Sequence, residues 1–197
     1  MSGEVTAVVL VGGRSRRMGR DKALLVLSAA DGRTLSQVVL DALSSVAPSA
    51  LLAGRALPGL DVPAVVDQYP DAGPLGGIVS ALAAVRTELA VVAACDMPSI
   101  APPLLALLVE RARAGGDAAA VMCRSERGLE PLLAVWRVAV AEPVLRAALA
   151  RGVRSLREAV AALPRVVVLA PQDWRAVDPD GASFRNWNEP GDLPAST

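Results

Sequence analysis

The sequence predicts a single three-layer α/β domain whose mostly parallel sheet lies between two layers of helices. Three observations carry this: short β-branched runs alternate with amphipathic stretches, glycine-rich loops follow the runs, and no linker, repeat or change of composition divides the 197 residues. A chain of this length buries a sizeable core in one domain and is short for two.

Residues 5–11 (VTAVVLV) read as the first strand, stopped by Gly12 and Gly13. After a loop ending at Asp21, residues 34–46 (TLSQVVLDALSSV) repeat apolar side chains at helical spacing, and Ala47-Pro48 ends them. Residues 50–53 and 62–66 are brief strands with Gly/Pro turns between them, and 75–86 is a second helix. The wholly apolar run 89–94 (LAVVAA) suits a central parallel strand. A third helix over 102–114 carries proline in its first turn, and 118–122 is the next strand. Strict alternation then lapses: 132–136 is a strand, 138–150 and 155–163 are helices, 165–169 is a late strand, and this later part is expected to form an insertion or flap. The tail 178–197 is rich in Pro, Asn, Gly and Asp, which predicts a loop with one short last helix.

Composition excludes several kinds of chemistry. Twenty basic residues balance twenty acidic ones, so no global field draws the chain to nucleic acid or an anionic membrane. The absence of histidine removes Ser-His-Asp triads, Cys-His dyads and His-ligated zinc. Cys95 and Cys123 are too few for a four-ligand zinc site and sit at strand ends, which points to a reducing, cytoplasmic setting. Cys95 reads as a small packed residue rather than a nucleophile, because nothing near it in sequence supplies a base. The amino terminus lacks a basic stretch before its apolar run, and that run is too short to span a bilayer, so no targeting segment is expected.

The loop leaving the first strand, Leu10-Val11-Gly12-Gly13-Arg14-Ser15-Arg16-Arg17-Met18-Gly19-Arg20-Asp21-Lys22, concentrates glycines with four arginines and one lysine. Glycines admit a phosphate close to the backbone, and the charges match a polyphosphate. It is not a P-loop, because Arg20 follows Gly19 where that motif needs lysine, nor GxGxxG, because Arg14 follows Gly13. Lys22 is the single lysine beside nineteen arginines, which suggests a site needing a compact ammonium rather than a planar fork.

Cys95-Asp96-Met97-Pro98 ends the most apolar strand and sets the Asp96 carboxylate at the same sheet edge. A lone carboxylate beside a polyphosphate suits Mg²⁺, with capping of the next helix as the plainer role. The loop from Asp67 to Gly77 carries Gly73, Pro74, Gly76 and Gly77. Asp67 there suits either a bidentate pair with guanine N1 and N2 or a turn. Asn186-Trp187-Asn188 offers neutral amides suited to a heterocycle or a phosphate ester, with a helix cap as the alternative for Asn188.

The order of these segments resembles the molybdenum cofactor guanylyltransferases (MobA-like proteins) over nearly the whole chain. LVGGRSRRMGRDKALL is similar to the LxGGxSxRMGxDK loop of the wider nucleotidyltransferases, DQYPDAGPLGGI to a D…GPLxG segment, CDMP to CDxP, EPLLAVW to PLxAxY, and NWNEPGDL to NxNTPEDL. Three departures stand out: Val11 for the usual alanine, Ala53 or Gly54 for an asparagine after the second strand, and NEPGDL for NTPEDL. The resemblance implies a Rossmann-like nucleotidyltransferase domain, with residues 5–123 as nucleotide-binding half and 124–197 as acceptor-binding half and tail. It implies transfer of GMP from GTP to molybdopterin with release of pyrophosphate, and a delivery contact with molybdoenzymes or their chaperones. By the same resemblance Lys22 and Arg17 hold the triphosphate, Asp96 holds Mg²⁺, and Leu10, Val11, Gly12, Gly13, Ser15, Asp67, Gly73, Pro74 and Gly76 line the nucleotide. Asn186 and Asn188 take the pterin side. A relative using CTP or another phosphorylated acceptor is the alternative, although that branch typically shows LAAG in place of Leu10-Val11-Gly12-Gly13 and acidic residues in place of the two asparagines. A non-catalytic adaptor would not need Asp96.

Overall fold

The structure is a computed structural model that describes residues 4–12, 21–27 and 32–187. Alternating burial along the strands organises it. In β1 (Val5–Leu10), Ala7 and Val9 face one core while Val8 and Leu10 face another; β4 (Leu89–Ala94) repeats this with Val91 and Ala93 against Ala90 and Val92. Both faces of these strands are apolar, so both need a helical cover. α1 (Leu35–Ser44) and α3 (Pro102–Ala114) supply it on one side through Val39, Leu43, Leu104, Leu105 and Leu108. α2 (Gly73–Ala84), α4 (Val138–Ala150) and α5 (Leu156–Ala161) cover the other side through Leu75, Ile78, Leu82, Leu145 and Ala159. Each fully buried Leu or Ile of this kind contributes about 1.5–3 kcal/mol, which is what holds the three layers together.

The other strands are β2 (Ser49–Gly54), β3 (Ala64–Val66), β5 (Ala120–Ser125), β6 (Gly128–Arg137) and β7 (Val166–Leu169), in the order β3-β2-β1-β4-β6-β5-β7. All run the same way except β6, which pairs antiparallel with both β4 and β5. The carboxyl ends of β1, β2, β4 and β5 therefore share one edge, with the start of β6 among them.

Helix boundaries follow local chemistry. Thr34 caps α1 by accepting from the Gln37 amide at 3.3 Å, Ser155 caps α5, and prolines open α2 and α3. The later part of the chain departs from the expected flap: β6 runs through the sheet interior and is ten residues long. Pro131 is tolerated there because the β5–β6 register shifts between Met122 and Arg124, so no regular ladder bond is lost. A one-turn helix, α6 (Pro171–Trp174), was not anticipated, and the expected last helix after Asn188 lies outside the described residues. Among the described residues no helix is long and apolar enough to cross a membrane.

Candidate active site at the strand ends

The buried strands β1 and β4 end side by side: the Cys95 amide donates to the Leu10 carbonyl at 3.1 Å, and the Val11 amide to Ala53 at 2.9 Å. Leu10 and Val11 are thus buried framework of the edge, and Gly12 emerges from it exposed. Gly54, at φ +125, closes the same corner; a Cβ there would stand 2.9 Å from the Gly12 nitrogen, so this one of the two positions, Ala53 or Gly54, that stand where an asparagine was expected is given over to close backbone approach.

Lys22 and Asp96 meet across this edge. They are 74 residues apart in sequence, yet the Lys22 ammonium donates to Asp96 Oδ2 at 3.3 Å, and each side chain is less than one-fifth exposed. Lys22 opens a 3-10 turn, Lys22–Leu24, which Asp21 caps through the Ala23 amide at 3.2 Å. Arg55, just past β2, pairs with the other oxygen of Asp21. That residue was not expected in the site; its only sequence sign was a charge directly after a strand-ending glycine.

The tail reaches the same place. Asp178, 5% exposed, accepts from the Ala182 and Ser183 amides, and Ser183 in turn accepts from the Ala101 amide at 2.9 Å. Phe184 packs edge-on to Trp174 at 5.0 Å. So anchored, the chain runs on until the Trp187 amide donates to the Asp96 carbonyl at 2.8 Å. Asn186 is thereby carried beside Asp96. Gly13, Ser15, Arg17 and Asn188 lie outside the described residues.

The second glycine-rich loop behaves differently. Asp67 Oδ1 accepts from the Tyr69 amide at 2.8 Å and from the Ser80 hydroxyl at 3.3 Å, which is the turn-forming alternative of the two read from sequence. A bidentate base contact would compete for that oxygen. The space beside Gly76 is likewise spoken for, since a Cβ there would lie 2.4 Å from the Tyr69 carbonyl oxygen and 3.1 Å from Asp67 Oδ1. Gly73 and Pro74 form the first turn of α2.

Burial, with Asp96 adding to it, pushes the Cys95 thiol up to about 12, and burial does the same for Cys123. Both are free thiols held protonated at neutral pH, which makes them packing residues and not nucleophiles.

No cluster of three or more His, Cys, Asp or Glu suited to a metal occurs among the described residues. A single carboxylate at the edge fits a cation whose remaining ligands are phosphate oxygens and water, and does not fit an all-protein cage. Beside this corner, where β5 turns into β6, a cavity of about 390 Å³ is walled by that turn, α6 and the tail.

Comparison with known proteins points to one family. The model of the MobA-like NTP transferase domain matches residues 7–180. A probable molybdenum cofactor guanylyltransferase of Chloroflexus aggregans is 38% identical over 193 residues, covering 96% of this chain and 91% of its own. Another from Opitutus terrae is 37% identical, covering 95% and 92%. The crystal structure of molybdopterin-guanine dinucleotide biosynthesis protein A from Archaeoglobus fulgidus superposes with a TM-score of 0.78 at 29% identity, covering 95% of this chain and 94% of that one. A cytidylyltransferase from Thermus thermophilus shares the fold alone, with a TM-score of 0.65 at 18% identity. With these relatives and a lysine–carboxylate pair at the carboxyl edge of a mostly parallel sheet, the chain belongs to the MobA-like NTP transferase family and is a nucleotidyltransferase.

Proposed function

We propose that the protein transfers GMP from GTP to the terminal phosphate of molybdopterin and releases pyrophosphate. The observation that carries this reading is the Lys22–Asp96 pair at 3.3 Å with the tail bound back onto Asp96 through Trp187, which brings an ammonium suited to phosphate, a carboxylate suited to a metal and the chain segment of Asn186 to one corner. In the reaction an oxygen of the acceptor phosphate forms a bond to the α-phosphorus of GTP as the bond from that phosphorus to the pyrophosphate oxygen breaks. The acceptor oxygen is already ionised, so no general base is needed, in keeping with a site that has no histidine.

Catalysis by this chain is positioning and charge stabilisation. Lys22, with Arg17 from the loop, takes the triphosphate and the charge that develops on the leaving pyrophosphate. Leu10, Val11 and Gly12 form the floor beneath the nucleotide, the Asp67 to Gly76 turn forms its side wall, and Gly13 and Ser15 are assigned to nucleotide binding by the loop motif alone. Asp96 would hold Mg²⁺ through one carboxylate; when bound, the ion neutralises phosphate charge and aligns the oxygens for displacement. Residues 124–197 supply the acceptor half, Asn186 and Asn188 meeting the pterin.

Pyrophosphate release measured with GTP, CTP and ATP, each with and without molybdopterin, tests the reading. Release only with GTP and molybdopterin together supports it. Equal or faster release with CTP would make the protein a cytidylyltransferase, and release without dependence on molybdopterin would assign another acceptor.

A further inference from the structure

The cavity where β5 turns into β6 is lined by Arg127, Arg175 and Arg185, together with Glu126 and Asp180. Arg175 is drawn 3.5 Å from Glu126 and lies 5.9 Å over the Trp174 ring, whose indole N–H is fixed on the Arg124 carbonyl at 3.3 Å. Arg127 and Arg185 form no ion pair with a carboxylate among the described residues. Two guanidiniums without a carboxylate partner beside a rigid aromatic floor make a recess suited to an anion on an organic body.

Its position identifies what the anion belongs to. β6 separates β4 from β5, so two strand spacings, about 10 Å, lie between the Asp96 strand end and the end of β5. The tail gives a similar measure: Arg185 in the cavity wall is only two residues before Trp187, which is bonded to Asp96, and two residues span at most about 7 Å. A ligand whose phosphate reacts at Asp96 therefore reaches the cavity with its far end. Asn186, between the two points, lies along its path.

We infer that the cavity is an anion subsite of the acceptor, where Arg127, Arg175 and Arg185 hold a second negatively charged group, a thiolate or an oxyanion, about 10 Å from the reacting phosphate. This rests on the guanylyl-transfer reading above for the identity of the acceptor. The subsite favours acceptors that carry negative charge at both ends over singly charged phosphate esters.

The test compares the wild type with the Arg127→Ala/Arg185→Ala double variant. Molybdopterin binding is followed by pterin fluorescence, GTP binding by calorimetry, and binding of tungstate, as a simple oxyanion, also by calorimetry. The inference expects molybdopterin affinity to fall at least tenfold in the variant, GTP affinity to stay within twofold, and a saturable tungstate isotherm to be present in the wild type and lost in the variant. The Arg127→Lys/Arg185→Lys variant keeps the charge and should recover most of the binding, which separates loss of charge from loss of folding. Molybdopterin affinity within twofold of wild type in the alanine variant would overturn the inference. If the wild type binds no molybdopterin at all, the guanylyl-transfer reading fails; the tungstate arm then decides, a variant-sensitive isotherm keeping the anion site and an identical or absent one removing it.

Discussion

Asp96 and Asp67 both follow a strand and both precede a helix, yet they end in opposite situations. Asp96 turns outward along the sheet edge, pairs with Lys22 from a turn 74 residues earlier, and has the tail bonded to its backbone. Asp67 turns inward, its Oδ1 accepting from the Tyr69 amide two residues on and from Ser80 on the helix that follows. One carboxylate joins distant parts of the chain and the other closes a single loop. The difference lies in the partners and not in the residue, and it separates a group available for ligand chemistry from one that shapes the wall beside it.

Breaking the outward group should give the largest effect on turnover. Asp96→Asn removes the charge that opposes Lys22 and, on the proposed reading, the carboxylate that would hold Mg²⁺, and pyrophosphate release should fall at least about a hundredfold, near 2.7 kcal/mol, with the melting temperature little changed. Turnover near wild type at saturating Mg²⁺ would remove Asp96 from the chemistry. Breaking the inward group should instead be read in stability. Gly76→Ala puts a methyl 2.4 Å from the Tyr69 carbonyl, and the overpacking should cost about 1–3 kcal/mol by denaturant titration. A silent Gly76→Ala would mean that the Asp67 to Tyr69 turn yields freely, and the contrast between the two loops would weaken.

How much of this was legible in the sequence follows the same division. β4 and α3 match their expected limits, since a wholly apolar run before Asp96 and a proline-led amphipathic stretch are local signals. β6 was foreseen only over its apolar end, residues 132–136, because a proline at 131 argues against a regular interior strand; the register shift that accommodates it belongs to the pairing with β5, which sequence does not display. Lys22 was visible as the single lysine, and Asp96 as the carboxylate that ends the most apolar strand. Arg55, the Ser183 and Trp187 bonds that fold the tail back, and the arginines of the cavity were not, because each acquires its role from contact with residues far away in the chain.

A smaller effect probes the partner of Asp96. Lys22→Arg keeps the charge but replaces a compact ammonium with a wider planar group in a corner less than one-fifth exposed. The value of kcat/KM for GTP should fall about tenfold, near 1.4 kcal/mol. If Lys22→Arg were silent while Lys22→Ala was not, charge alone would suffice there, and the single lysine among nineteen arginines would have no chemical reason.

The smallest effect uses Cys95 as a reporter of which way each carboxylate faces. Burial first, and then the negative charge of Asp96, raises its thiol to about 12 from an ordinary 9, while Lys22 pulls it down. A thiol raised in the folded state stabilises the fold fully below the unfolded value and loses that contribution as pH climbs from about 9 through 12. Asp96→Asn removes the raising charge and leaves Lys22 unopposed, so the pH profile of Cys95 alkylation should move to lower pH, yet stay above that of a free thiol because burial remains. Asp67→Asn should leave the profile where it is, since Asp67 is not among the groups acting on this thiol. Alkylation rates measured from pH 7 to 10 by mass spectrometry at Cys95, with the fully buried Cys123 as internal reference, check both arms. An unmoved profile in Asp96→Asn would mean that the carboxylate points away from the strand end, and a moved one in Asp67→Asn would mean that the two loops communicate after all.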